Sequence, residues 1–478
     1  MSQNIHTPDW VKDAIFYQIF PDRFAASTQV AKPHNLEPWD SPPTRHGFKG
    51  GDLIGVVERL DYLHDLGVNA IYFNPIFAST ANHRYHTHDY DNVDPILGGN
   101  AAFKILLDAA HARGIRIVLD GVFNHASRGL LQFNHALENG AASPYLDWFT
   151  FDGFPVHAYH GKPNYACWYN LPDLPKLNTK NPQVRDLIFR VAEYWIREGI
   201  DGWRLDVPEE IDDDEFWREF RQRVKAINPD AYIVGEIWHR ADRWLQGDQF
   251  DAVMNYQFTR ACLAFLVDHT PATLKLTQPQ SYGQVKPMDA LEFGKTLEEI
   301  LRWYPDEIAY AQMNLLDSHD TARWLTIARG DVTALKLAYL VMCTYPGAPM
   351  IYYGDEVGLE GGPDPDCRRS MTWNETLWNR ELLATTKQLI ALRKKYAALR
   401  RGDFANLYAK GQVYAFARRL PGETVIVALN AGHAPITIDL PVQDATRLVE
   451  EWSGEETHGR GIRLPARKGR VWVAYEPH

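Results

Sequence analysis

Cysteine is scarce in this 478-residue chain: four residues, at 167, 262, 343 and 367. Their scatter matches neither the paired spacings of a metal site nor a disulfide framework. Apolar runs are short too, and none approaches the roughly 20 residues that a membrane-spanning helix needs. The opening stretch "MSQNIHTPDW" lacks the basic and apolar regions of a secretory leader. Positive charge is in deficit, with 50 Lys and Arg against 61 Asp and Glu and a net charge of −11. That balance argues against nucleic acid or an anionic membrane as a partner. The absences together lead to the expectation of a reduced, cytoplasmic protein.

What is present is an ordinary globular composition, 45% hydrophobic and 23% charged. The length allows two or three domains, or one large barrel with additions. Fifteen Trp and 23 Tyr are many for this length. Flat apolar faces with a polar edge suit sugar rings, although cores use the same residues.

Short apolar runs ending in polar residues recur along the chain: "AIFYQIF", "VNAIYF", "IRIVLD", "IDGWRLD", "AYIVGE", "FDAVMNY", "QMNLLDSHD" and "APMIYYGDE". Helical patterns such as "LIGVVERLDYLHDLG" and "NAAFKILLDAAHARG" separate most of them, each stopped by Gly. Eight strand–helix units predict an α/β fold, a closed (β/α)₈ TIM barrel. From His125 to Asn181 the beat fails: the stretch is rich in Asn, Pro, Gly and aromatics, with no clean helix. We read it as a small inserted subdomain after the third strand, because loops of that length are usually functional. After the long amphipathic "NRELLATTKQLIALRKKYAALRRG", period-two alternation in "GQVYAFARRL", "TVIVALN", "PITIDLP" and "GRVWVAY" predicts a C-terminal antiparallel β domain. The expected division is a barrel over 1–124 and 182–401, an insert over 125–181 and a β-sandwich over 402–478.

One segment, "GIDGWRLDVPEE" (199–210), reads as a buried strand yet ends in Arg204, Asp206, Glu209 and Glu210. A buried carboxylate costs several kcal/mol unless paired, and an Arg two residues before an Asp on a strand shares its face. Such a pair is either structural or catalytic. In a barrel of this kind the chemistry sits at the C-terminal strand ends. Asp120 and His125 fall there after the third strand, Arg204 and Asp206 after the fourth, Glu236 after the fifth, and His319 and Asp320 after the seventh. Converging carboxylates suit a metal or a glycosidic bond. The "HTH" at 86–88 falls in a loop after the second strand with no matching strand-borne ligands, which disfavours the metal.

These segments, "DGVFNH", "GWRLDV", "GEIWH" and "LLDSHD", with "IYFNPI" and "GAPMIYYGDE", resemble the short conserved regions of the α-amylase superfamily of glycoside hydrolases (family 13). They stand in that family's order, and the resemblance covers nearly everything from Trp10 onward. It implies Asp206 as nucleophile, Glu236 as general acid/base and Asp320 as transition-state stabiliser. Physical sense fits each role: Arg204 would hold Asp206 ionised, and apolar neighbours such as Ile237 and Trp238 would keep Glu236 protonated. The resemblance further implies that Tyr85, Asp120, His125, Arg204, Glu210, Trp238, His319, Asp364 and Arg368 bind substrate. A catalytically silent relative would have lost one or more of the three carboxylates, and this chain keeps them all.

"LPKLN" (174–178), "SHD" and "DPDCR" are similar to the neopullulanase, cyclomaltodextrinase and maltogenic amylase branch. That resemblance implies cleavage of α-1,4, and some α-1,6, bonds of maltooligosaccharides, cyclodextrins or pullulan, with transglycosylation. An exo-acting α-glucosidase releasing glucose is the alternative. Two departures stand out. The N-terminal β domain usual in the branch has no counterpart before Trp10, which leaves a homodimer an open question. "DVPEE" also replaces the branch's usual Ala-Asn-Glu beside Glu210. No cofactor and no metal are expected: Lys176 stands where related amylases place a calcium-binding aspartate beside Asn124, with Asp173 the nearest replacement.

Overall fold

The computed structural model describes residues 5–277, 283–443 and 446–475; the outermost expected domain limits, 1 and 478, lie outside them. All eight apolar runs become parallel strands: β1 (Phe16–Ile19), β2 (Ala70–Phe73), β3 (Arg116–Gly121), β4 (Gly202–Leu205), β5 (Tyr232–Gly235), β6 (Ala252–Val253), β7 (Met313–Leu315) and β8 (Ala348–Tyr352). Their order is β6-β5-β4-β3-β2-β1-β8-β7, and a parallel bridge between Met254 and Met313 joins the two ends. The sheet is therefore a closed barrel. Helices cover its outer face and side chains fill its interior, so β1, β2 and β4 are buried at every residue. That is why these runs read as continuous apolar stretches without alternation.

The stretch before β4 shows how sequence places a strand end. Asn181 caps the helix Pro182–Glu198 by accepting from the Gln183 and Val184 N–H groups, and Pro182 starts it. Gly199 stops it at φ 111°, a left-handed conformation that favours glycine. Gly202 then lets β4 approach β5: a Cβ there would lie 2.3 Å from the Tyr232 carbonyl oxygen. The register pairs Asp120 with Arg204 across β3 and β4, and Leu205 with Gly235 across β4 and β5. Three chemically active strand ends are thereby set side by side.

Four local expectations change. The run from Leu53 is two helices, Leu53–Val57 and Leu60–Leu66, the first capped by Asp52. The helix from Arg380 ends at Lys395, and a short turn of helix follows over Ala398–Arg401. The break lets buried Arg393 collect the carbonyls of Cys343, Tyr345, Gly347 and Leu399, contacts that local periodicity does not encode. The insert does contain a helix, Leu131–Asn139, which buries only Phe133 and Ala136 and so leaves a faint amphipathic trace. Phe133, Phe149, Phe151 and Tyr165 pack on one another as a small core of its own. "HTH" also lies otherwise than expected, at the start of a strand, Thr87–Val93, paired with Phe77–Ser79.

Beyond Gly402 a six-stranded antiparallel sheet contains β9 (Asp403–Lys410), β10 (Val413–Leu420) and β11 (Glu423–Asn430). A two-stranded sheet, Ile436–Ile438 with Ile462–Leu464, packs beside it. Val413, Ala415 and Ala417 face this second core, whereas Tyr414 and Phe416 join the barrel's own. β10 is thus buried on both faces.

Candidate active site

The strand ends open into a cavity of about 440 Å³, lined among others by Tyr85, His125, Asp206, Glu210, Glu236, Trp238, His319, Asp320, Asp364 and Arg368. At its base one guanidinium gathers three carboxylates. Arg204 lies 2.9 Å from Asp120, 3.1 Å from Asp206 and 2.9 Å from Glu236. Arg204 is fully buried, and the three acids are no more than 8% exposed. One cation cannot balance three buried carboxylates, so such a cluster favours retention of a proton.

The acid–base directions follow from that imbalance. Burial pushes Asp120 up to about 6, against the opposing pull of Arg204 and hydrogen bonds from Tyr72 and Tyr85. Asp206 is also raised, by burial and then by the Glu236 charge, which outweigh Arg204. The expectation that Arg204 holds Asp206 ionised is corrected in its balance: the arginine is shared with Asp120 and Glu236. Glu236 is raised as well, by burial. Its surroundings are more polar than expected, since it accepts hydrogen bonds from Trp238 Nε1 at 3.0 Å and the Val207 N–H at 3.1 Å. Val207 itself sits at φ 36°. For a β-branched residue that costs about 1–2 kcal/mol, and the bond to Glu236 helps to hold it.

Across the cavity, Asp320 is 3.2 Å from Arg368, which also pairs with Asp364 at 2.9 Å. Arg368 Nε donates to the His319 carbonyl, so one side chain fixes both neighbours. His319 stacks on Tyr85 with ring planes 8° apart. Its Nδ1 faces the Gln18 amide at 2.9 Å and its Nε2 faces the Tyr85 hydroxyl at 2.8 Å, while Tyr85 donates to Asp120. Burial, then Arg368, holds His319 far below its ordinary range, hence neutral. His125 is neutral for the same first reason, pushed down to about 3 by burial. Its Nε2 has no protein partner and lies 3.9 Å from Asp206, over which Trp168 stacks on the imidazole at 5.4 Å. A neutral imidazole with an unspent nitrogen facing a polar cavity is suited to a hydroxyl group.

Every residue read from the sequence as a site residue is therefore at this mouth. Glu210 stands on its wall, 3.1 Å from Lys176, and Trp238 stacks on Tyr256. Several contributors were not foreseen. Gln18 and Asn74 anchor His319 and Tyr85; a glutamine inside the apolar run "FYQIF" was the available signal. Arg45, His83, His86, Trp168 and Tyr169 line the cavity from loops, where no strand-end rule points to them. Beside Asn124, whose buried Oδ1 has no hydrogen-bond partner, the neighbouring charged groups are engaged with one another. Lys176 turns its ammonium to Glu210, Asp173 is engaged by Arg128, and among the described residues no group of three His, Cys, Asp or Glu is placed to hold a metal. No helix of the described residues is long and apolar enough to cross a membrane.

The model of the alpha-amylase catalytic domain matches residues 18–379, which takes in the end of β1, all of β2 to β8 and every residue of this mouth. The chain belongs to the alpha-amylase family. It is accordingly a glycoside hydrolase of that family. It is 47% identical to a cyclomaltodextrinase of Geobacillus thermopakistaniensis over 91% of this chain and 71% of that one. Neopullulanase 2 of Thermoactinomyces vulgaris is 44% identical over 97% and 77%. The crystal structure of a debranching enzyme from Nostoc punctiforme superposes with a TM-score of 0.89 at 51% identity, covering 98% of this chain and all of that one.

Proposed function

We propose that this family member is a retaining α-glucan hydrolase that cleaves α-1,4 and α-1,6 glucosidic bonds of maltooligosaccharides, cyclodextrins or pullulan. The observation that carries the reading is the shared guanidinium. Arg204 holds Asp206 and Glu236 at one strand-end surface while Asp320 faces them from β7. The names of the similar proteins, cyclomaltodextrinase and neopullulanase, support the substrate class.

In this reading Asp206 attacks the anomeric carbon and Glu236 gives its proton to the departing oxygen. Glu236 then takes a proton from water, which releases the sugar with its α configuration. Asp320, steadied by Arg368, stabilises the positive charge that develops on the ring. His125, neutral and with an unspent nitrogen, bonds a sugar hydroxyl; His319, whose nitrogens meet Gln18 and Tyr85, seats the Tyr85 ring that faces the sugar. Asp120 keeps Arg204 and Tyr85 in place. Proton NMR of the first product from maltotetraose tests the assignment. Initial release of the α anomer is expected; initial β anomer refutes retention.

A further inference from the structure

Two short segments leave the catalytic strand ends, and beyond the Val207–Glu236 hydrogen bond a side-chain pair joins them. Glu209 lies three residues beyond Asp206, and His239 lies three residues beyond Glu236. Their side chains meet, Glu209 Oε2 to His239 Nε2, at 2.7 Å on the cavity wall. The other imidazole nitrogen, Nδ1, lies 2.9 Å from the Arg240 carbonyl oxygen. Both ring nitrogens thus face acceptors. A neutral imidazole has one N–H and can satisfy only one of them, so the geometry asks for the doubly protonated ring.

The surroundings agree. Partial burial opposes the charge, but the Arg240 carbonyl and the Glu209 carboxylate together hold His239 above its ordinary value. Arg240 turns its own guanidinium to Asp242 and the Trp303 ring. Trp244, 6.3 Å away, is the neighbouring ring. The same cavity is lined by the acids Asp206, Glu210, Glu236, Asp320 and Asp364 and by the cations Arg45 and Arg368; Arg368 is paired with Asp320 and Asp364. On the Glu209 side, Pro208 is buried and Val207 donates to Glu236, so the turn is already committed to the catalytic acid.

We propose that Glu209 and His239 form an ionic clasp that positions the Asp206 and Glu236 segments relative to one another. This rests on the hydrolase reading for its effect on turnover, but not for the protonation state. Both side chains are positioning residues: they touch the catalytic segments, not the reacting atoms. The pair is partly exposed, 56% and 36% for the side chains, so its contribution is modest.

The test has two arms. Nitrogen-15 imidazole NMR of the intact protein should show His239 with both nitrogens protonated at pH 6, titrating above 6.5, and titrating lower in Glu209→Gln. A neutral ring at pH 6 overturns the clasp whatever the activity does. For turnover of maltotetraose at pH 6, Glu209→Gln and His239→Gln should each lower kcat about three- to tenfold, with little change in KM. The double variant should be no worse than either single one, the mark of a shared interaction. Additive losses, or an unchanged kcat with variants that melt like the parent, overturn the positioning role. If the variants do not fold, titration of His239 in the unaltered protein at or below the ordinary 6.5 still overturns the clasp.

Discussion

Asp206 is the residue on which the proposed chemistry depends most directly. Asp206→Asn keeps size and a hydrogen-bonding group but cannot form the covalent glycosyl intermediate. We expect turnover to fall by several orders of magnitude with the melting temperature retained. Substantial residual turnover, with deamidation excluded by mass spectrometry, contradicts the assignment. The same residue predicts a pH effect whose sign is fixed. Only ionised Asp206 attacks, and its pKa is raised by burial and by the Glu236 charge. Activity should therefore fail on acidification from well above the ordinary aspartate value of about 3.9. Glu236 must be protonated to act as the acid, so its own titration sets the basic limb. In fluoride release from an α-maltosyl fluoride, whose leaving group needs no proton, Glu236→Gln should keep the acidic limb and lose the basic one. A basic limb that persists in that variant contradicts the assignment of Glu236 as the acid.

The elements differ in how openly the sequence announces them. All eight barrel strands were legible because burial on both sides makes each a compact apolar run, and the site was legible because its acids cap those runs. Inside the insert neither rule applies. Trp168 and Tyr169 reach the cavity from irregular backbone, with Tyr169 at φ 51°, and Trp168 finds its partner, His125, only through the tertiary fold. The sharing of Arg204 was hidden for a related reason. Spacing within β4 displays Asp206, whereas Asp120 and Glu236 come from strands 84 residues earlier and 32 later, and only barrel register makes them neighbours. At the joint between barrel and insert, Lys176 bonds Glu210 where a calcium ligand would stand. We expect thermal melts with and without EDTA to coincide; a drop of many degrees reversed by calcium contradicts this. At the joint between the barrel and the last helix, Arg393 is buried without a carboxylate partner. Burial and then Arg418 hold it down at about 9. Arg393→Met leaves several carbonyls unbonded at roughly 1–3 kcal/mol each. A loss of about 3 kcal/mol or more in urea unfolding is expected, and a variant as stable as the parent contradicts it.

For the whole molecule, β10 is the feature with the widest reach. Tyr414 and Phe416 lie in the barrel core while Val413, Ala415 and Ala417 lie in the other, and Arg418 donates to the carbonyls of Thr344 and Leu399 on the barrel side. One strand therefore supplies structural material to both halves, and neither half is complete without it. Cooperativity follows from this sharing. Heating should give a single calorimetric transition, not two, and a chain ended before Asp403 should lack the compact native state altogether, as judged by lost near-ultraviolet dichroism. Two resolved transitions would show that the halves melt independently. For the history of such a chain the implication is that its last strands cannot be exchanged like a detachable module. Any replacement must arrive with aromatic side chains already cut to the barrel's unfinished wall.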